Sequence, residues 1–244
     1  MDKKKWKNFL AFILTVHLVI LSGCDVSDKE QSQDSVQGNN GTTFLHIENI
    51  SRKLYQDASR QNSNIQIFYP VFNSENMESV NQKVYDFVKK VATDIYGQDY
   101  TDLEITMDFD IKRYDENIVS IVYTGQGNVT MAAYPNSLFV SQNISIKEDR
   151  QITLSDVCMI DDAFVDTVKQ AVSREYSGDR LNAFLEYYDN ESDLLKSLLA
   201  CDMSSTECQS YYTESCIGLS IPVQHFNGDH LDVEIPFSQL EIFS

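Results

Sequence analysis

The side chains whose types and spacing could do chemistry are few: four histidines, a pair of aspartates two residues apart, and a set of late cysteines. His225, Asp229 and His230 surround Asn227-Gly228, and imidazole with carboxylate is a donor set that could hold a transition metal. The same residues also make an ordinary polar hairpin turn, which is the simpler reading. His46 stands alone in a strand-like stretch, and His17 lies in an apolar run. Asp108 and Asp110 share one face of "LEITMDFDIKRY", where two carboxylates could divide general acid and base roles. An amphipathic strand would present the same two residues to water with no chemistry implied. Asp161-Asp162 lack the alternating acids and the glycine of a calcium loop. "TGQGNV" holds two glycines of a dinucleotide fingerprint but closes a strand instead of opening a helix. G-x-S-x-G, P-loop and H-E-x-x-H patterns are absent from the chain. The expectation is a protein that is not an enzyme, with no catalytic residue, no resident metal and no cofactor.

The cysteines speak to location. Lys3, Lys4, Lys5 and Lys7 precede a run from Phe9 to Leu21 that is apolar but for Thr15 and His17. A membrane-crossing helix needs roughly 20 apolar residues, so this shorter run fits a secretory signal with a basic start. Leu21-Ser22-Gly23-Cys24 then resembles the bacterial lipobox, which makes Cys24 the expected lipid attachment point. Several acyl chains on one residue give stable membrane attachment at about 0.8 kcal/mol per buried methylene. From Asp25 to Thr42 the chain is rich in Asp, Ser, Gln, Asn and Gly, with too little apolar surface to offset ordering entropy. The expected organisation is a signal peptide over 1–23, a flexible tether over 24–42 and a folded module beyond. Cys158, Cys201, Cys208 and Cys216 remain outside the membrane, an even number that suggests two disulfides in an exported chain. Of the three possible connectivities, Cys158–Cys201 and Cys208–Cys216 are preferred: the first joins two helical segments and the second closes a short loop before a strand. No C-x-x-C or C-x-x-H spacing supports zinc.

Charge narrows the partners. The chain carries a net charge of −18, and without residues 1–23 it has 15 basic against 36 acidic residues, or −21. Such a body repels nucleic acid and anionic headgroups and favours cationic partners.

These residues must be positioned by the roughly 200 residues that follow the tether, enough for one sizeable core or two small units sharing a sheet. Strands are expected at 43–56 and 64–72, the second with Pro70 marking an edge or strand end. Met77, Val80, Val84, Phe87, Val88, Val91 and Ile95 recur at helical spacing, with Gly97 as the stop. Strands follow in "LEITMDFDIKRY", "NIVSIVYTGQG" and "SLFVSQNISI". A second helix is expected from about Asp161 to Tyr176, with Phe164, Val165, Val168 and Val172 buried and Gly178 ending it. One or two shorter helices fill 181–200, and strands return in "SCIGLSIPV" and "HLDVEIPF". Strands joined by short turns, with helices grouped between them, define an α+β fold on a largely antiparallel sheet.

Several short motifs then form a pattern. Tyr69-Pro70 precedes a helix bearing Val80-Asn81; Ala133-Tyr134-Pro135-Asn136 leads a strand; Leu154-Ser155-Asp156-Val157 follows a polar turn; Ile235-Pro236-Phe237-Ser238-Gln239-Leu240 closes the chain. Together these resemble the extracellular domain of the RsiV anti-sigma factor family and the accessory, non-catalytic domain of PdaC-type peptidoglycan deacetylases, over residues 43–244. The resemblance divides the module into an N-terminal part at 43–115 and a C-terminal part at 116–244. It implies a binding module on the outer face of a Gram-positive cell membrane, with lysozyme, another cationic protein or cell wall as partner. Tyr134 stands where the family carries a histidine, and the four cysteines are not a family feature. The competing readings are a peptidoglycan-acting enzyme or enzyme accessory, and a structural domain.

Overall fold

The computed structural model describes residues 49–57, 62–97, 101–129, 132–205 and 207–240. The lipobox with Cys24, the tether and the first residues of the expected 43–56 strand lie outside these.

The first sheet has six strands in chain order: β1 (Ile50–Asp57), β2 (Asn64–Phe72), β3 (Leu103–Tyr114), β4 (Ile118–Val129), β5 (Asn136–Ser145) and the short β6 (Arg150–Gln151). All neighbours are antiparallel except β2 and β3, which run parallel over Asn64–Ile67 and Glu104–Met107. A parallel pair needs a crossover, and helix α1 (Glu78–Asp94) supplies it. Its buried stripe of Val80, Val84, Val88, Val91 and Ala92 lies over Ile65 and Ile67 of β2, Met107 of β3, Ile121 and Tyr123 of β4 and Ile144 of β5. This is the alternation read from the sequence: odd positions of β3 and β4 face the helix, and the intervening side chains face away.

Pro70 lies in the part of β2 that has already lost one neighbour. β3 pairs with β2 only as far as Ile67, whereas β1 stays in register to Phe72. Beyond that point a side chain takes the missing strand's role. Asn81 of α1 accepts from the Phe72 amide at 2.8 Å through Oδ1 and donates to the Phe72 carbonyl at 2.8 Å through Nδ2. The Tyr-Pro and Val-Asn motifs are therefore the two halves of one joint between strand and helix.

The second layer begins with the single turn α2 (Leu154–Val157), closed by a capping box between Thr153 and Asp156. Helices α3 (Asp162–Glu175), α4 (Gly178–Tyr187) and α5 (Glu191–Leu199) follow. They lead into a three-stranded antiparallel sheet of β7 (Gln209–Tyr212), β8 (Cys216–Pro222) and β9 (His230–Pro236). Gly178 does not end α3. That helix stops at Tyr176, whose backbone turns extended while its phenol donates to the Asp232 carbonyl at 2.8 Å. Gly178, at φ +59°, opens α4 instead. β7 has no counterpart in the sequence expectations, because four residues in "QSYY" are too short for a period. One glycine is required by packing: the Tyr211 ring lies across Gly218, its register partner on β8, and a Cβ there would overlap the ring.

The two layers meet across a buried polar seam. The Ser141 hydroxyl and the Asn143 amide of β5 both donate to the Ser210 carbonyl of β7, at 2.6 and 2.7 Å. The Ser120 hydroxyl of β4 donates to Asn143 Oδ1 at 2.7 Å and accepts from the Tyr212 amide at 2.9 Å. Gln209 accepts from the Ser141 backbone amide at 3.1 Å and donates to the Ser204 carbonyl at 2.7 Å. These polar groups are buried, and nearly all their bonding capacity is used, as burial demands.

Candidate functional site

Two grooves flank this seam. The larger, about 500 Å³, lies between α1 and the loop at 202–205, over β5. Its walls mix Phe87, Val91 and Ile144 with Lys83, Lys90, Asp86 and Asp94. On its floor Gln142, 3% exposed, donates through Nε2 to the Lys83 carbonyl at 3.0 Å, while its Oε1 has no partner. A buried acceptor left unmet costs about 1–3 kcal/mol. Lys83 itself is held by Asp149 and Ser79, both at 2.7 Å. The Lys83 ammonium and the Ser79 hydroxyl, which donates to the same oxygen at 2.6 Å, hold the Asp149 carboxyl below its ordinary value. Asp202 closes the far wall. Its carboxylate accepts from the Leu154 amide at 2.9 Å, the Ser210 amide at 2.7 Å and the Ser210 hydroxyl at 2.6 Å. Burial pushes its pKa upward, and the Ser210 and Leu154 donors offset part of that shift.

The second groove, about 310 Å³, runs past Tyr96, Phe139 and Asp229. Asp229, at φ +70°, meets His225 Nδ1 at 2.8 Å, the Ser137 amide at 2.6 Å and Asn136 Nδ2 at 3.3 Å. His230 turns instead to Asp232 at 3.0 Å. The two histidines flanking Asn-Gly thus serve separate carboxylates. Among the described residues no three His, Cys, Asp or Glu side chains gather as a metal-ligand group. Asn136, from the Ala-Tyr-Pro-Asn motif, ties the β5 entrance to the turn before β9, and Tyr96 donates to its Oδ1 at 3.2 Å.

Asp108 and Asp110 do not converge on either groove. Asp108 is forked by Arg52 at 2.7 and 3.3 Å, Asp110 meets Lys112 at 2.6 Å, and both carboxylates are more than half exposed. They are the wet side of an amphipathic strand.

No disulfide joins the four cysteines of the described residues in this structure. Cys208 and Cys216 stand at opposite ends of the β7–β8 hairpin: Cys208 adjoins Gln209, which faces Ser220, four residues along β8 from Cys216. At about 3.3 Å per residue that is about 13 Å, beyond the roughly 7 Å that a disulfide tolerates between Cα atoms. The Cys158 thiol faces the Leu154 carbonyl at 3.8 Å, and burial pushes its pKa up to about 12. Cys201, its expected partner, touches Cys208 instead.

The layered arrangement and its grooves define an α+β protein of two sheets with one crossover helix. No family model matches the chain, and no curated protein matches it. Among solved structures it is similar to a DUF3298 family protein from Pseudomonas aeruginosa PAO1, at 12% identity over 79% of this chain and 91% of that one, with a TM-score of 0.46. It is also similar to a DUF3298 family member from Bacteroides fragilis NCTC 9343, at 12% identity over 78% and 91%, with a TM-score of 0.46. Likenesses this distant assign neither ligand nor activity. No helix among the described residues is long and apolar enough to cross a membrane.

Proposed function

We propose that this is a surface lipoprotein, anchored through Cys24 to the outer face of the cell membrane, whose module binds a cationic protein without catalysing a reaction. The observation that supports the reading is the acidic excess of the helical layer, whose basic residues are Lys169, Arg174, Arg180 and Lys196. Asp162, Asp166, Glu175, Asp179, Glu186, Asp189, Glu191 and Asp193 are exposed on α3–α5 and the turn between α4 and α5. Glu191 is met by Lys169 and Asp193 by Lys196. Leu185, Tyr187 and Leu199 are exposed on the same helices, each more than 40%. Acidic groups around exposed aromatic and aliphatic side chains suit a basic partner, which the field steers and the apolar contacts hold. Lysozyme is the partner that the RsiV resemblance implies. The test is a pull-down of lysozyme on the soluble module at low and raised salt. Capture that weakens steeply with salt is expected, and no capture at low ionic strength removes lysozyme as the partner.

A second reading rests on the larger groove, whose walls set apolar Phe87, Val91 and Ile144 beside Lys83, Lys90, Asp86 and Asp94. In this reading a peptidoglycan fragment, which carries apolar, amide and charged groups, occupies it. Titration with purified muropeptides, repeated on Gln142→Met, separates the two readings: a loss of binding confined to the muropeptide identifies the groove, and an equal loss for lysozyme does not.

A further inference from the structure

We propose that Cys201 and Cys208 form a disulfide in the exported protein and so staple the loop that walls the larger groove. Cys201 follows the last turn of α5 and Cys208 precedes β7. The backbone already brings their positions together, because the Asp202 amide donates to the Cys208 carbonyl at 2.8 Å. The two thiols are in contact, and both residues are buried, at 3% and 0% exposed. Between them Asp202 holds the amides of Leu154 and Ser210, and residues 203–205 line the groove. The link would therefore fix the loop at both of its ends while Asp202 fixes its middle.

The chemistry is a two-electron oxidation. Two thiols lose two protons and two electrons and gain one S–S bond. The electrons pass to the disulfide of an exported dithiol oxidant, which is reduced to two thiols by exchange. The attacking species is a thiolate, and burial among its neighbours holds the Cys201 thiol in its protonated form. Oxidation therefore precedes burial: the bond forms while the chain is folding, and the folded reduced protein oxidises slowly. Cys158 and Cys216 stay reduced.

The assignment rests on the export reading, and the experiment keeps the two apart. Trypsin cuts after Lys196 and finds no later Lys or Arg, so Cys201, Cys208 and Cys216 share one peptide. Cyanogen bromide then cuts at Met203, between Cys201 and Cys208, and a Glu-specific protease cuts after Glu214, between Cys208 and Cys216. Protein from the envelope, alkylated under denaturing conditions without reductant, should give a Cys201 fragment still joined to a Cys208 fragment, with Cys158 and Cys216 alkylated. Reduction should lower Tm by about 5–10 °C, the shift expected of one structural disulfide in a domain this size. Cys201 and Cys208 both alkylated, or either one joined to Cys158 or Cys216, would overturn the proposal. The mass of the amino-terminal peptide in the same sample reports lipidation of Cys24, and so the export reading, separately. The reduced, denatured chain refolded in a glutathione buffer decides the pairing independently of export: the same joined fragments are expected, and any other pairing defeats it.

Discussion

On one face of the six-stranded sheet, Val84 and Val88 of α1 lie over Ile67, Met107 and Ile121; on the other, Ser120, Ser141 and Asn143 meet the backbone of β7. The first face is held by apolar contact, which is additive and tolerant of small shifts. The second is held by directional bonds, each of which needs its partner in place. α1 can settle on the sheet by burying a stripe. β7 can lie in one register only, because a one-residue slip would strand the groups that meet Ser210 and Tyr212. The difference places the adaptable packing behind the sheet and the exacting contacts beside the grooves.

The comparison can be broken first on the apolar side. Phe72 is buried against Tyr114, with ring centroids 4.9 Å apart, and its backbone is held by Asn81. Phe72→Ala should cost about 3–5 kcal/mol in denaturant unfolding, from lost transfer energy and the cavity left behind. On the polar side, Asn143→Ala removes bonds to Ser120 and Ser210 and should cost about 2–3 kcal/mol. A cost under 0.5 kcal/mol would mean that the seam does not set the register. Gly218→Ala forces the Tyr211 ring off β8 and should cost about 1–3 kcal/mol, accompanied by a change in near-ultraviolet circular dichroism.

Thiol chemistry sharpens the contrast without a substitution. With its pKa pushed up to about 12, Cys158 holds roughly one thiolate in ten thousand at pH 8. Iodoacetamide at pH 8 should therefore label partly exposed Cys216 first and reach Cys158 only as the protein opens. Raising the pH from 8 to 9 should speed Cys158 labelling about tenfold as thiolate accumulates, with circular dichroism checking that the fold is unchanged. The smallest effect is expected at Asp108→Asn. Its exposed pair with Arg52 is screened by water, and the denaturation midpoint should stay within error.

Much of this was legible in the chain. α1 and the alternation of β3 could be read because their periods run for 12 or more residues and one face of each is apolar. The quoted motifs were legible as a pattern but not as a purpose. Asn81 bonds the end of β2, Asn136 and Asp229 tie two turns, and Asp156 closes a capping box. Each is an architectural joint. β7 was not legible, because four residues carry no period and Gln209 and Ser210 look like surface residues until β5 covers them. The separation of Cys208 from Cys216 was hidden for the same reason: sequence distance gives loop length, whereas hairpin register gives separation in space.

The sequence by itself determined the acidic balance, the α+β order of elements and the apolar stripes, since composition and periodicity are local properties of a chain. Tertiary structure alone decided which polar groups are buried, which acceptor is unmet at Gln142 and which two thiols touch, because the first two depend on residues 59 to 92 positions apart meeting in one register, and the third on how a short loop folds back.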